Sequence, residues 1–245
     1  MNEKSPCEQF CWSVFDESMG AQRDGVDLQA FAKLTSTEKI EVGKKILDVL
    51  AKTNDSRPFI AAGVIKLLTA APIIKQRLVD GFKENIADYM TVHAAHALYL
   101  IERWPDALDV ISKILQNTSK IAGRQWTRMM AVEALADFPS DSLASAALFS
   151  TIEDEDEFIG FLAVQSLKKM YEQNNSVMAL LDILQETQIK PNRWKLEFLN
   201  QRQELFLELQ MITGVTMPKV VMSKQQTGVP PSDVSGEKQL NLFSS

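Results

Sequence analysis

Four hexapeptides limit what this chain can fold into. They are Ile60-Ala61-Ala62-Gly63-Val64-Ile65, His93-Ala94-Ala95-His96-Ala97-Leu98, Met130-Ala131-Val132-Glu133-Ala134-Leu135 and Leu162-Ala163-Val164-Gln165-Ser166-Leu167. The steps between Ala61, Ala94, Ala131 and Ala163 are about 33, 37 and 32 residues, and the last three share the pattern Ala-x-x-small-Leu. A small residue at each turn lets a neighbouring helix come close, while the leucines fill the layer between. A recurrence of this length is a pair of helices, and one pair cannot bury its apolar face alone, so pairs must stack. A shorter amphipathic helix is expected after each hexapeptide, over Ile73–Phe82, Ala107–Leu115, Leu143–Leu148 and Val177–Leu184.

Helical periodicity runs to Ile212, without the alternating Val/Thr/Tyr runs and Asn-Gly turns of strands. Thr35-Ser36-Thr37-Glu38 reads as a capping box. Ser56-Arg57-Pro58, Trp104-Pro105-Asp106, Phe138-Pro139-Ser140 and Lys190-Pro191 mark other helix starts. The acidic run Glu153–Glu157 precedes a helix at Phe158, where carboxylates favour the positive end of the dipole. Lys190–Met211, with Trp194, Phe198, Leu205, Leu207 and Leu209, reads as a last helix that caps the stack.

The alanine pattern resembles the short-repeat branch of the HEAT-repeat family over Arg57–Glu186. The resemblance implies an all-α fold, an α-solenoid of helical hairpins. The arginine that often stands three residues before the family's alanine is present as Arg128, whereas Thr91 and Gly160 hold the matching sites. A compact all-α bundle is the other fold the pattern allows. The expected organisation is N-terminal helices over 1–56, HEAT-like repeats with a capping helix over 57–213, and a tail over 214–245.

From about Thr216 to Lys238 the chain is rich in Pro, Ser, Gly, Gln and Lys and has no period. Such a segment buries too little apolar surface to offset its ordering entropy, so a disordered tail is expected. It ends in Gln239-Leu240-Asn241-Leu242-Phe243. These five residues resemble the peptide by which bacterial polymerases and repair factors bind the replicative sliding clamp, Gln-Leu-(Ser, Asp or Asn)-Leu-Phe. In a chain of this length such a match arises by chance on the order of once in a hundred. The resemblance implies Leu242 and Phe243 in the clamp's main apolar pocket, Gln239 hydrogen-bonded in the adjoining subsite and Leu240 in a smaller contact. A tail that instead packs Leu242 and Phe243 on its own domain is the plain alternative.

The net charge is −6, and the tail carries Lys219, Lys224 and Lys238 against Asp233 and Glu237, which leaves −7 for the rest. A body that acidic does not attract nucleic acid through its overall field. One stretch runs the other way: Lys113, Lys120, Arg124 and Arg128 lie between Asp109 and Glu133 with no acid among them, and Trp126 is interleaved. Cations around an aromatic can hold phosphates and stack a base. Some bacterial DNA alkylation-repair glycosylases are built of HEAT-like helices, and a clamp-binding tail suits a repair enzyme.

The catalytic inventory is thin. His93 and His96, the only histidines, stand three apart on one helix, a spacing that can chelate a metal, yet alanines surround them and they read as packing or groove residues. Cys7 and Cys11 are one helical turn apart, poor geometry for a disulfide and too few ligands for zinc, and read as free thiols of a reducing cytoplasm. No Gly-rich phosphate loop, Gly-x-Ser-x-Gly elbow or His-Glu-x-x-His is present. Met1–Pro6 is polar, and no signal peptide or membrane-length apolar run is read in the chain. The expectation is a cytoplasmic, non-enzymatic interaction protein without metal or cofactor. It binds one protein partner through the solenoid and the bacterial sliding clamp through its tail. A HEAT-like DNA repair glycosylase is the alternative, and an immunity or assembly-chaperone protein a weaker one.

Overall fold

A computed structural model describes residues 4–18, 21, 25–118, 124–138, 141–189 and 196–215. Among them the chain is all-α, with twelve α-helices, two short 3-10 turns and no strand. The helices are α1 (Pro6–Phe15), α2 (Leu28–Ala32), α3 (Ser36–Leu50), α4 (Arg57–Val64), α5 (Ala71–Asp80), α6 (Ala87–Glu102), α7 (Ala107–Thr118), α8 (Gln125–Leu135), α9 (Ser142–Thr151), α10 (Glu157–Met170), α11 (Asn175–Ile189) and α12 (Leu196–Thr213). The four second helices expected from the sequence fall within α5 with two residues beyond it, α7, α9 and α11.

Local chemistry sets the helix ends. At α3 the Thr35 hydroxyl accepts from the Glu38 N–H at 3.3 Å, and the Glu38 carboxylate accepts from the Thr35 N–H at 2.8 Å. Ser5 and Glu8 repeat this reciprocal pair at α1, where Pro6 opens the helix. Asp141 and Asp156 cap α9 and α10 by accepting two backbone N–H groups each. Pro58 lies in the first turn of α4, but Ser56 gives no cap there; its hydroxyl meets the Tyr89 hydroxyl at 3.1 Å. Gly81 ends α5 at φ 78°, a backbone region that favours glycine.

Helices α4, α6, α8 and α10 carry the hexapeptides, and each packs on the next. α5 packs on α6, α7 between α6 and α8, α9 on both α8 and α10, α11 on α10, and α12 on α11. Ala61, Ala94, Ala131 and Ala163 are fully buried. At Gly63 α4 and α6 approach closely: a Cβ there would stand 2.9 Å from the Ala97 Cα and 3.3 Å from its Cβ.

Two apolar cores meet at α6. Met90, Ala94, Ala97, Leu98 and Ile101 join Phe10, Val42, Ile46, Phe59 and Ile74 in the first. Val92 and Ala95 enter the second, with Ile111, Leu135, Phe149, Leu167, Leu181 and Phe206. The first core takes residues from α1, α2 and α3 as well as α4–α6, so position 56 marks no break in packing. α12 buries Leu205, Phe206 and Leu209 as expected of a cap, but Leu207 is 53% exposed, on the opposite side of the helix. Trp194 lies outside the described residues, as does the side chain of Phe198.

Candidate interaction face

The four buried alanines place residues at a fixed offset from them at matching levels of neighbouring helices. One residue before the alanine stand Ile60, His93, Met130 and Leu162; two after it stand Gly63, His96, Glu133 and Gln165. All but Gly63 line one groove of about 440 Å³, joined by Asp137 and Lys169, each six residues after its alanine. Five before the alanine the level reads Ser56, Tyr89, Trp126 and Phe158. Trp126 is 68% and Phe158 48% exposed, at the starts of α8 and α10. Gln125 ties those two starts together by donating to Asp156 at 2.8 Å.

His93 and His96 have opposite environments. His93 is buried against the edge of Tyr89, with ring centroids 4.6 Å apart, and its Nε2 has no hydrogen-bond partner. Burial, helped by nearby His96 and opposed by Asp55, holds its imidazole down at about 4. His96 instead meets the Asp137 carboxylate through Nε2 at 2.9 Å. Lys169 donates to the other Asp137 oxygen at 2.6 Å. Burial alone would raise Asp137; the hydrogen bonds from His96 and Lys169 overcome it and hold the carboxyl at about 2. Glu133, on the same groove, is pushed up by burial, with Lys169 pulling the other way. Among the described residues no three His, Cys, Asp or Glu side chains are grouped to hold a metal ion.

Asp137, Glu133 and Lys169 escaped the sequence reading. Asp137 and Lys169 lie 32 residues apart, as do Ala131 and Ala163, so the repeat register itself was the signal that could have paired them.

Three cations of the basic stretch already have partners within the protein. Lys113 is paired with Asp109 at 2.6 Å, one turn away on its own helix. Arg124 donates to the Asn85 carbonyl at 3.1 Å. Lys120 lies outside the described residues. Arg128 is 6% exposed, and its guanidinium forms an ion pair with Asp154. Trp126 and Arg128 are two residues apart on a helix, about 200° around its axis, so an exposed indole sends the guanidinium inward. Arg128 is therefore a packing residue, not a phosphate contact.

The acidic run keeps its expected role in part: Asp156 caps α10 and Glu157 stands in its first turn. Asp154 holds Arg128, and Glu153 accepts from Arg202 Nε at 2.8 Å and from its Nη2 at 3.2 Å. Arg202 is 1% exposed, so α12 is fastened to the α9–α10 connection through a buried ion pair.

Cys7 and Cys11 are free and half-buried on α1, and burial together with neighbouring Cys7 pushes the Cys11 thiol up. Gln239, Leu240, Asn241, Leu242 and Phe243 lie outside the described residues. No described helix is long and apolar enough to cross a membrane. No protein-family model, curated protein or solved structure matches the chain.

Proposed function

We propose that this chain is a non-enzymatic adaptor: an α-solenoid of HEAT-like hairpins that holds a protein partner, with a C-terminal peptide that binds the bacterial sliding clamp. The observation that carries the reading is Gln239-Leu240-Asn241-Leu242-Phe243, which fits the clamp-binding pattern at all five positions. The solenoid is supported by the order of contacts, in which α4, α6, α8 and α10 each meet the next and the intervening helices fill a second row. The partner surface is supported by the groove along those helices, with Ile60, Met130 and Leu162 for apolar contact, and by Trp126 and Phe158 exposed at the starts of α8 and α10. Exposed aromatics are the usual anchors of a protein interface. The buried, paired state of Arg128 removes one cation from the Lys113–Arg128 stretch on which the glycosylase alternative draws.

The mechanism is tethering. The peptide keeps whatever the helices carry close to DNA by raising its local concentration. Burying a leucine and a phenylalanine is worth roughly 1.5–3 kcal/mol each, less the cost of ordering the peptide. A short tail peptide is therefore expected to bind in about the micromolar range. Leu242→Ala with Phe243→Ala abolishes capture of a purified bacterial clamp and leaves the helical content unchanged. Asn241→Asp is nearly silent. Undiminished capture by the double variant would show the pentapeptide to be a coincidence.

A further inference from the structure

α12 turns Arg202, Leu205, Phe206 and Leu209 inward and leaves Leu207 53% and Met211 78% exposed, one turn apart on its outer side. Glu204 and Glu208, both exposed, flank this pair. The end unit of a helical stack ordinarily shows water a polar face, because no neighbour follows to cover an apolar one. Here two large apolar side chains occupy that face, and α11 is the helix on which α12 packs.

The chain itself supplies an occupant. Thirty residues follow Val215, and they end in Leu240, Leu242 and Phe243 with Lys238 immediately upstream. The tail carries Lys219, Lys224 and Lys238 against Asp233 and Glu237, a net charge of +1, while the exposed side of α12 carries Glu204 and Glu208, so the two signs are opposite. The 24 residues from 216 to 239 can reach at most about 80 Å. Met211 lies only one turn before Val215, so the stretch is ample to fold back. An intramolecular contact over so short a connection sees an effective concentration on the order of millimolar, so even a weak apolar contact is populated.

We propose that Lys238–Phe243 docks on the outer face of α12 of its own chain, Leu242 and Phe243 against Leu207 and Met211, Lys238 beside Glu204 and Glu208, and that a sliding clamp must displace it to bind. The displacement rests on the clamp reading; the docking does not.

The two parts are separable by experiment. Amide NMR shifts of residues 239–243 are compared in the intact chain, in the isolated 216–245 peptide, and in the intact chain carrying Leu207→Glu with Met211→Glu. The expected result is that the intact chain differs from the peptide and that the double variant returns to the peptide positions. Leu207→Gln with Met211→Gln serves as the milder pair should the first disturb helicity. Identical shifts in the intact chain and the peptide overturn the docking. A dimer by light scattering that the same substitutions dissolve also overturns it, because the face then belongs to a second copy. In the clamp arm, the intact chain binds a purified bacterial clamp about 5–10-fold more weakly than the peptide, and the double variant recovers the difference. Equal affinities overturn the displacement. A peptide with no clamp affinity sinks the proposed function, and the NMR comparison still decides the docking.

Discussion

The α4–α6 and α8–α10 junctions join equivalent helices by different means. At the first, Gly63 brings the helices so close that a methyl group would press on the Ala97 backbone at 2.9 Å, and the nearby polar group, His93 Nε2, is buried without a partner. At the second, the alanines remain, but Arg128–Asp154, Gln125–Asp156 and Lys169–Asp137 span the helices or the connection between them. The loop that supplies Asp154 also supplies Glu153, which holds Arg202 of α12. Close approach leaves no room for charged side chains between helices. At the second junction polar contacts fix the register, and the buried pair among them, Arg128–Asp154, is costly to break by removing one partner.

Arg202→Ala tests the charged side and carries the largest expected effect. It strands Glu153, whose side chain is 14% exposed, without its partner, and is expected to cost about 3–5 kcal/mol in a urea melt. A loss under about 1 kcal/mol would mean that the pair is solvated.

The dry side is tested by pH. His93 titrates near 4 when folded against an ordinary 6.5, so between those values the unfolded chain binds the extra proton. Stability from this group is complete above about 6.5, falls as the pH drops through the window, and levels off below about 4; the full loss is about 3 kcal/mol. His93→Phe flattens that segment of the stability–pH curve. Asp137 acts lower down: its carboxyl is held at about 2 against an ordinary 3.8, so its contribution is lost only as pH falls through that lower range. A His93→Phe curve as steep as the parent's between 6.5 and 4 would place the titrating group elsewhere.

Packing distinguishes the junctions by a smaller amount. Ala131→Leu overfills the α8 contact and is expected to lower stability by about 1–3 kcal/mol. Gly63→Ala ordinarily gains about 1 kcal/mol in a helix, but here the added carbon meets Ala97 backbone, so the sign reverses. A rise in melting temperature for Gly63→Ala would show that α4 and α6 can separate without penalty. The smallest effect is at Lys113, whose pair with Asp109 lies at the surface: Lys113→Ala is expected to change stability by less than about 0.5 kcal/mol, measurable as a null in the same melt.

The sequence by itself determined the helical class, the Thr35–Glu38 cap and the phase of the alanines. Each depends on residues within one or two turns, where steric fit and backbone hydrogen bonding act alone. The same reasoning placed Leu205 and Leu209 inside but could not exclude Leu207, because one helix has an apolar residue on both sides and only its neighbours decide which is covered. The fate of the charges was out of reach for a different reason. Arg128 meets Asp154 across 26 residues, His96 meets Asp137 across 41, and Arg202 meets Glu153 across 49. In the sequence Arg128 belongs to a basic stretch and Asp154 to an acidic one, and each reads as a solvent or ligand surface. Tertiary structure brought them together in a place water barely reaches, and it was the shared desolvation that turned two surface motifs into one internal fastening.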